Sequence, residues 1–508
     1  MTLDANQSDL VLGIVGTGAM GRGIAQIAAL GGVRVLLLDA REGAAQEARD
    51  FVGKMVDRLV EKGRVEPAAA DAAKNRLQVV GGNAELAPAH VVIEAIVERL
   101  EPKQELFREL EGIVKPDTIL ATNTSSLSVT AIAAGCERPE RVAGFHFFNP
   151  VPLMKLVEVA TAIRTADWVA DALVTLAHRM GHTPVVCTDS PGFIVNHAGR
   201  GFGTEAVRLL SEGVCETIDI DRVMREVAGF RMGPFELLDL TGLDVSHHVM
   251  ESIYDQYYQE PRFRPSYITR QRVAAGLFGR KVGSGFYTYK DNKPQQPSEP
   301  PAPQGTDVAI WVSQADAEAG QALRAVLEQA GVRLDPGAEP GPDSVCLVTP
   351  LGQDATTVAL EQGLDPSRTL AVDTLFGLDR RRTLMRTPVT TPEAREAAHA
   401  ALAKDGTPVT VIRDSAGFIA QRVVATIVNI GCDIAQQRIA APADVDTAVK
   451  LGLGYPHGPL GFGDTLGPQR ILRILENMQA YYGDPRYRPS PWLKRRAMLG
   501  ISLTTEEN

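Results

Sequence analysis

The stretch "GIVGTGAMGRG" (13–23) decides the fold, because its glycines stand between an apolar run and a helical pattern. Gly16, Gly18 and Gly21 match G-x-G-x-x-G. In such a loop the first glycine makes a tight turn, the second lets the backbone approach a pyrophosphate, and the third lets the helix pack on the strand. The pattern alone also occurs in ordinary turns. With a strand before it and a helix after it, it predicts a dinucleotide-binding loop at a helix N-terminus.

Asp39 closes the second predicted strand, next to the expected position of an adenosine ribose. A carboxylate there accepts hydrogen bonds from the ribose hydroxyls and repels a 2′-phosphate. The sequence therefore predicts NAD rather than NADP as the cofactor.

Alternating β-rich and helical patterns continue outward from the loop, which predicts parallel strands joined by crossover helices. The predicted strands are 10–15, 33–39, 90–96, 118–123, 141–148, 154–160 and 183–187, and the helical stretches include 20–31, 42–62, 102–114 and 167–180. The fold class is an α/β Rossmann NAD-binding domain plus an all-α domain, followed by a degenerate, shortened α/β segment and a second all-α domain. The predicted segments are 1–188, 189–289, a Pro-rich linker at 290–306 without means of packing, 307–412 and 413–508.

An internal repeat supports this division. "DSPGFI" (189–194) returns as "DSAGFI" (414–419), and "GPFELLDLTG" (233–242) returns at the same offset as "GPLGFGDTLG" (458–467). One residue out of step, "EPRFRPS" (260–266) matches "DPRYRPS" (484–490). Repetition at this length predicts a duplicated domain rather than a solenoid, whose periods are far shorter.

The composition of the 508-residue chain is that of a globular protein, with 44% hydrophobic and 22% charged residues. Its net charge of −10 argues against nucleic acid or an anionic membrane as the main partner. Five scattered cysteines, without metal-ligand spacing, predict reduced thiols and no metal site. The N-terminal residues lack the pattern of a signal peptide, so we expect a cytoplasmic protein.

"RVAGFHFFNPVPLMKLVEVA" (141–160) places His146 at the end of one predicted strand and Glu158 on the next. Oxidising an alcohol with NAD requires a base for the hydroxyl proton, and imidazole suits that task near neutral pH. A carboxylate on the other ring nitrogen would fix the tautomer and stabilise the imidazolium. A histidine in an apolar run is more often a core residue, and Glu158 could equally be a paired charge on an edge strand. Both alternatives stay open from the residues alone.

Several longer motifs accompany these residues, namely "GTGAMGRGIAQ", "VIEAIVE", "TNTSSLS", "AGFHFFNPVPLMKLVEV", "DSPGFIVN", "GPFELLDLTGLD" and "GRKVGSGFY". Through them the chain resembles the 3-hydroxyacyl-CoA dehydrogenases over residues 10–289. These enzymes are NAD-linked and oxidise L-3-hydroxyacyl thioesters in fatty acid metabolism. The degenerate repeat and the ending "YGDPRYRPSPWLKRRA" are similar to the bacterial phenylacetate-catabolism branch of the family, whose substrate is 3-hydroxyadipyl-CoA. A general short-chain 3-hydroxybutyryl-CoA dehydrogenase is the alternative.

The resemblance implies roles for individual positions. It makes His146 the catalytic base, Glu158 its orienting carboxylate, Ser125 a substrate-binding serine and Asn196 a catalytic asparagine. It implies coenzyme A phosphate contacts at Arg58 and Lys62, although such a pair is as often a solvated helix face. The implied cofactor contacts are Gly16, Gly18, Met20, Gly21, Asp39, Glu98, Lys103, Asn123, Asn149 and Lys281.

One departure from the family pattern lies beside "GFIVN", where relatives usually carry an arginine and this chain has His197, with Arg200 one helical turn later. An acyl chain that ends in a carboxylate requires a cation, and Arg200 is the candidate. A dehydrogenase of small hydroxy acids would instead use a lysine in the helical domain. A non-catalytic protein would not need the set formed by Ser125, His146, Glu158 and Asn196.

The second copy has lost that set. Asp373 stands at the position of His146, Gln421 replaces Asn196, and "RRTLMRT" (381–387) offers no acidic counterpart of Glu158. We therefore expect a non-catalytic repeat. The family pairs helical domains from two subunits, so this chain is expected to form either a homodimer or a monomer with that pairing inside one chain.

Overall fold

The computed structural model describes residues 3–305 and 307–507. The outermost residues of the predicted segments 1–188 and 413–508, and the last residue of the linker 290–306, lie outside the described residues. The chain divides into two compact units. Unit 1 runs to His197 and also includes Gln437–Leu453. Unit 2 comprises Ala198–Gln436 and the chain from Gly454 onward.

The helices and strands follow in chain order. The first part contains β1 (Val11–Val15), α1 (Ala19–Leu30), β2 (Arg34–Leu38), α2 (Ala44–Glu61), α3 (Pro67–Asn75), β3 (Leu77–Val79), β4 (Val91–Glu94), α4 (Leu100–Glu111), β5 (Ile119–Thr122), α5 (Val129–Ala133), β6 (Val142–Phe147), β7 (Leu156–Thr161), α6 (Asp167–Arg179), β8 (Thr183–Thr188) and α7 (Val195–Ala198). The middle part contains α8 (Arg200–Ser211), α9 (Thr217–Glu226), α10 (Pro234–Thr241), α11 (Leu243–Gln256), α12 (Tyr267–Ala274), β9 (Tyr289–Lys290) and β10 (Lys293–Pro294). The last part contains β11 (Ile310–Val312), α13 (Ala317–Gln329), β12 (Val345–Val348), α14 (Ala355–Glu361), β13 (Thr369–Val372), β14 (Arg382–Arg386), α15 (Pro392–Leu402), β15 (Val409–Ile412), α16 (Ile419–Gln436), α17 (Pro442–Leu453), α18 (Pro459–Leu466), α19 (Pro468–Tyr482) and α20 (Pro491–Leu499).

Unit 1 is built on an eight-stranded sheet in the order β3-β2-β1-β4-β5-β6-β7-β8. All neighbours are parallel except β6 and β7, which run antiparallel. The central strands β1, β4, β5 and β6 are buried along their whole length, because helices cover both faces of a parallel sheet. The predicted Rossmann class is confirmed, and the seven predicted strands all occur.

α17 belongs by sequence to the second copy but packs within unit 1. It lies against the edge strand β8, where the backbone N–H of Val186 donates to Asp444 at 3.2 Å. Close packing extends to Gly452, where an added Cβ would lie 2.9 Å from side-chain atoms of Leu156 and Val195. The segment 437–453 therefore covers the end of the first sheet.

Unit 2 contains a shorter sheet in the order β11-β12-β13-β14-β15, in which only β13 and β14 run antiparallel. This pattern matches β4 to β8 of unit 1, whose third and fourth strands are also antiparallel. Among the described residues, the second copy thus retains five strands and lacks counterparts of β1 to β3, the part of the first sheet that carries the glycine loop and Asp39. The loss explains why the resumed α/β segment is short.

The repeated hexapeptide has the same structural task in both copies. The carboxylate of Asp189 accepts hydrogen bonds from the backbone N–H groups of Val129 and Thr130, at 3.0 and 2.7 Å, and so caps α5. Asp414 accepts from the N–H groups of Ala355 and Thr356, at 2.7 and 3.3 Å, at the start of α14. Each aspartate satisfies N–H groups that a helix N-terminus leaves without intrahelical partners.

The helical parts of both copies pack together within unit 2, with α8 lying along α16. An added Cβ at Gly201 would lie 3.2 Å from the backbone nitrogen of Ile427, so the two helix backbones approach closely. The contacts are partly reciprocal. Arg262 donates to the carbonyl of Arg488 at 2.6 Å, and its counterpart Arg486 donates to the carbonyl of Arg264 at 3.1 Å. Exchange of equivalent contacts is the mark of a two-fold interface.

The linker makes more contacts than the sequence predicts. Glu299 accepts two hydrogen bonds from Arg381, at 2.6 and 2.7 Å, and Arg381 also donates to Glu226 at 2.9 Å. Gln296 donates to Glu236 at 2.8 Å. The expectation of a linker without means of packing is therefore wrong, because its polar side chains bind charged groups that composition alone does not place nearby.

Three further observations apply to the described residues. No helix among them is long and apolar enough to cross a membrane. Searching the same residues for histidine, cysteine or acidic clusters suited to a metal ion finds none. The five cysteines are all free thiols.

Candidate active site

The glycine loop joins β1 to α1 and has a distinct reason for each glycine. Gly16 has φ of 90°, a conformation that favours glycine, and an added Cβ would lie 2.6 Å from the carbonyl oxygen of Ala95. At Gly21 an added Cβ would lie 1.9 Å from the carbonyl oxygen of Gly16, so helix and turn could not pack together. At Gly18 an added Cβ would meet nothing within 4 Å. The turn thus needs Gly16, and the packing of α1 on the turn needs Gly21. The open space at Gly18 fits the approach of a pyrophosphate.

Asp39 follows β2 and lies beside this loop. Its Oδ2 accepts hydrogen bonds from the backbone nitrogen and hydroxyl of Thr17, at 2.6 and 2.8 Å, and its Oδ1 accepts from the Arg41 nitrogen at 2.9 Å. Burial raises the pKa of Asp39, but these hydrogen bonds outweigh it, so that the pKa lies below its ordinary value. The carboxylate is therefore ionised at neutral pH beside the loop, as an NAD ribose site requires. Met20 is half-buried and packs against the core of the unit.

His146 and Glu158 face each other across the antiparallel pair β6 and β7. Nδ1 of His146 lies 2.7 Å from Oε2 of Glu158, and both side chains are buried, at 5% and 0% exposure. A buried carboxylate at this distance holds the imidazole in one orientation. The two residues that the sequence analysis paired are thus in direct contact.

The second oxygen of Glu158 is bound by the repeated hexapeptide. Oε1 accepts hydrogen bonds from the backbone N–H groups of Ile194 and Val195, at 3.0 and 2.8 Å. The turn that presents these groups has positive φ at Gly192 (79°) and at Phe193 (48°). Both oxygens of the buried carboxylate therefore have hydrogen-bond partners within the protein.

Aromatic rings flank the imidazole. The ring centroid of Phe148 lies 4.4 Å from that of His146, and the centroid of Phe193 lies 5.8 Å away. Neither ring was identified from the sequence. The signal available was their position, since one directly follows the "HF" of β6 and the other stands inside the repeated hexapeptide. With these rings beside it, the imidazole is almost fully buried.

The loop after β5 carries Ser125 and is held by one carboxylate. Oε1 of Glu98 accepts hydrogen bonds from the hydroxyl of Thr124 at 2.7 Å and from the backbone nitrogens of Ser125 and Ser126 at 2.9 and 3.1 Å. Burial raises the pKa of Glu98, but the Thr124 hydrogen bond, the Lys103 charge and the backbone donors outweigh it and lower the pKa. Ser125 is thus placed by an ionised carboxylate.

Lys103 and Asn123 both have protein partners in this region. The Lys103 side chain is 1% exposed. Its ammonium nitrogen lies 2.9 Å from Oε1 of Glu94 and 3.3 Å from Oε2 of Glu98. The side-chain oxygen of Asn123 accepts a hydrogen bond from the backbone nitrogen of Phe147 at 2.9 Å. Both residues therefore shape the ends of β4, β5 and β6, where ligands bind in open α/β sheets. Glu94 was not identified from the sequence, although it ends a strand beside the loop.

Arg58 and Lys62 line a common cavity of about 330 Å³ in unit 1. Asn149, which follows β6, lines the same cavity. The predicted coenzyme A contacts and one predicted cofactor contact are thus brought together, between α1, α2 and the loop 149–153.

The remaining predicted residues have other surroundings. Asn196 lies on α7 in unit 1, directly after the N–H groups that bind Glu158. Lys281 lies in unit 2, where its ammonium binds Asp244 at 2.5 Å. Arg200 begins α8 in unit 2, and burial lowers the pKa of its guanidinium to about 10, although nearby Tyr455 opposes this shift.

In the second copy the equivalent positions are filled by a different network. Oδ1 of Asp373 accepts a hydrogen bond from Gln421 at 2.9 Å, and the Gln421 oxygen accepts one from the Gly352 nitrogen at 2.9 Å. Thr383 follows Arg382 on β14 and its carbonyl binds the Asp373 nitrogen, so a threonine stands opposite Asp373 where Glu158 stands opposite His146. No base–carboxylate pair exists at this place.

Comparison with known protein families agrees with this geometry. Residues 11–190 match the family model "3-hydroxyacyl-CoA dehydrogenase, NAD binding domain". Residues 192–289 and 417–503 both match the model "3-hydroxyacyl-CoA dehydrogenase, C-terminal domain", which confirms the duplication of the helical part.

Two of the similar proteins match over nearly the whole chain, and a third matches over about half of it. The 3-hydroxyadipyl-CoA dehydrogenase of Escherichia coli K12 is 38% identical over 486 residues, covering 96% of this chain and 97% of that protein. The crystal structure of 3-hydroxybutyryl-CoA dehydrogenase from Escherichia coli K12 superposes with a TM-score of 0.83 at 37% identity, covering 97% of this chain and 99% of that one. The mitochondrial hydroxyacyl-coenzyme A dehydrogenase of Sus scrofa is 41% identical over 283 residues, covering 54% of this chain and 90% of that protein.

Proposed function

This chain belongs to the 3-hydroxyacyl-CoA dehydrogenase family of NAD-dependent oxidoreductases, and from that premise we propose that His146 is its catalytic base and Glu158 the carboxylate that orients it. The observation that carries the proposal is the buried contact of 2.7 Å between His146 Nδ1 and Glu158 Oε2. Because Nδ1 faces the carboxylate, Nε2 is the nitrogen that takes the proton of the substrate's 3-hydroxyl group.

The reaction balances with these groups. The 3-hydroxyl proton passes to Nε2 of His146, and the oxygen becomes a carbonyl as the C3–H bond breaks. NAD, when bound, supplies the acceptor for the hydride from C3. Glu158 stabilises the imidazolium that forms, because its charge is buried and lies next to the ring. The rings of Phe148 and Phe193 keep the imidazole in place during the transfer.

Ser125 and Asn196 are proposed to bind the 3-hydroxyl or the carbonyl that replaces it. Support for Ser125 comes from its backbone nitrogen, which donates a hydrogen bond to Oε1 of Glu98 at 2.9 Å. A hydrogen-bond donor fixed before the substrate arrives contributes more to the transition state than one that must be ordered. Gly16, Gly18, Gly21 and Asp39 are proposed to bind the pyrophosphate and ribose of NAD, with Met20, Glu98, Lys103, Asn123, Asn149 and Lys281 as further contacts.

Coenzyme A is proposed to bind in the cavity beside α2. Arg58 and Lys62 line it, and its volume of about 330 Å³ is within the range of small-molecule sites. The cations would meet phosphate groups, and the apolar lining would meet the less polar parts of the ligand.

For the acyl group we propose 3-hydroxyadipyl, with Arg200 as the partner of its terminal carboxylate. Support comes from the relative of that name, which matches 96% of this chain, and from the partial burial of Arg200, which lowers the pKa of its guanidinium. A buried arginine interacts with a carboxylate more strongly than an exposed one. The alternative is 3-hydroxybutyryl-CoA, which is favoured by the structural relative with the TM-score of 0.83.

The first experiment compares kcat/KM for 3-hydroxyadipyl-CoA and 3-hydroxybutyryl-CoA by NADH absorbance. A preference for the adipyl thioester that disappears in Arg200→Met supports the proposed substrate. Equal rates, or a preference that survives the substitution, would reject Arg200 as the carboxylate partner.

The role of His146 is tested in the same assay. His146→Ala is expected to lower kcat by about 10²-fold or more with unchanged NAD affinity, since a positioned base contributes roughly that factor. His178→Ala, an exposed histidine on α6, is the matched control and should leave kcat unchanged. Loss of NAD binding with kcat intact would contradict the assignment.

We also propose a cytoplasmic monomer. The reciprocal contacts of Arg262 and Arg486 support the monomer, since the chain contains both halves of a two-fold pairing. The five free cysteines support a reducing compartment. Sedimentation of the full chain should give 54.6 kDa, and twice that mass would show a dimer.

A further inference from the structure

The cavity beside α2 has an unusual charge balance. Four cations line it, namely Arg22, Arg58, Lys62 and Arg64, and no carboxylate does. Phe51, Met55 and Leu59 add an apolar side. In a chain with a net charge of −10, a cavity whose charged side chains are all positive marks a site for an anionic ligand that also has an apolar or aromatic part.

Arg22 differs from the other three cations in its surroundings. It is half-buried, whereas Arg58, Lys62 and Arg64 are exposed. Its guanidinium carbon lies 3.9 Å from the ring centroid of Phe51, so α1 and α2 hold the group between them. Stacking on an aromatic face fixes an arginine while its N–H groups remain able to donate.

This difference decides which cation contributes most to binding. Exposed, flexible cations are screened by water and salt and lose side-chain entropy when they bind. A half-buried arginine already held on a ring loses less, and it can donate two parallel hydrogen bonds to a phosphate. The family resemblance implies phosphate contacts at Arg58 and Lys62, and it implies nothing for Arg22.

We propose that Arg22 is the principal phosphate-binding residue for the nucleotide portion of coenzyme A. It thereby determines the preference of this enzyme for coenzyme A thioesters over thioesters of the same acyl group that lack the nucleotide. The inference rests on the proposed function, since it takes coenzyme A as the occupant of the cavity. Arg22 directly follows Gly21 of the cofactor loop, but its guanidinium is stacked on a ring of α2. Arg22 therefore binds coenzyme A and not NAD.

The test compares two substrates that carry the same acyl group. One is 3-hydroxybutyryl-CoA, and the other is 3-hydroxybutyryl-pantetheine, which lacks the nucleotide. Arg22→Ala should raise KM for the coenzyme A thioester about tenfold or more, with kcat and KM for NAD unchanged. For the pantetheine thioester the variant should match the unaltered enzyme. Arg22→Lys keeps the charge but loses the planar fork, so it should restore only part of the affinity.

Two further variants serve as comparisons. Arg58→Ala should raise KM for the coenzyme A thioester by about threefold or less, because the side chain is exposed. Arg49→Ala removes an exposed cation of α2 that does not line the cavity, and it should change nothing.

Binding of 3′,5′-ADP, measured by calorimetry without any thioester, separates this inference from the proposed function. Weaker binding of 3′,5′-ADP by Arg22→Ala supports the inference even if no 3-hydroxyacyl thioester is oxidised, in which case the proposed function alone fails. Unchanged binding, or an equal loss of activity on both thioesters, would overturn it.

Discussion

Replacing Glu158 with glutamine should inactivate the enzyme although the two side chains have the same shape. In the native protein Oε1 accepts hydrogen bonds from Ile194 and Val195, and Oε2 lies 2.7 Å from Nδ1 of His146. An amide has one accepting oxygen and one donating nitrogen. The two backbone N–H groups require the oxygen on their side, so the amide nitrogen must face Nδ1.

That orientation determines the tautomer of the imidazole. With a donor opposite Nδ1, this nitrogen must accept, and the ring proton moves to Nε2. Nε2 can then no longer take the substrate proton. The wrong tautomer of a catalytic histidine lowers kcat by about 10⁴-fold in serine proteases, so Glu158→Gln should lower kcat by roughly 10³- to 10⁴-fold.

The assay is kcat by NADH absorbance at neutral pH, with thermal unfolding and NAD affinity measured in parallel. Both parallel measurements should stay close to those of the unaltered enzyme, because the two N–H groups keep an acceptor. Glu105→Gln, an exposed carboxylate on α4, is the control and should keep full activity. A Glu158→Gln variant that loses less than tenfold in kcat would refute the reasoning from the tautomer.

Two other sites give predictions of different kinds. Asp39→Ala should weaken NAD binding and reduce the preference for NAD over NADP, because it removes the ionised carboxylate beside the glycine loop. Steady-state kinetics with NAD and with NADP measures this preference. An unchanged preference would contradict the role of Asp39. Asp373→Asn should stabilise the protein at pH 8 without changing kcat. Burial raises the pKa of Asp373 to about 6 from 3.8, so this carboxyl supports the fold below pH 3.8 and its contribution is lost as pH rises through about 6. The loss amounts to about 3 kcal/mol of unfolding free energy at most. Urea unfolding of Asp373→Asn and of the unaltered protein at pH 4 and pH 8 measures this loss. If the two proteins differed in unfolding free energy by the same amount at both pH values, the raised pKa of Asp373 would be contradicted.

Much of the fold could be predicted because it depends on local patterns. The glycines of residues 13–23 need a particular turn, and the buried strands of a parallel sheet are apolar along their length. β3 was not predicted, because it has only three residues and lies at the edge of the sheet. The position of α17 could not be predicted, since a helix of the second copy covers a strand of the first through contacts between residues far apart in sequence.

The candidate site also combines contacts that could be predicted from the sequence with contacts that could not. The contact between His146 and Glu158 could be predicted from two strands in succession, because their pairing brings the residues opposite each other. The two N–H groups that bind the other oxygen of Glu158 could not, since they depend on a turn more than thirty residues later. The Phe193 ring beside the imidazole depends on the same turn.

The capping aspartates of the two hexapeptides have a consequence for genome searches. Asp189 and Asp414 each cap the N-terminus of a helix that lies earlier in the chain, so folding alone is enough to preserve "DS-x-GFI" in a copy that has lost its histidine and glutamate. Counting this motif would assign two catalytic centres to a chain whose second copy has no counterpart of the His146–Glu158 pair. A reliable search pattern for activity must include the histidine and the glutamate twelve residues after it, and use the hexapeptide only as a marker of evolutionary descent.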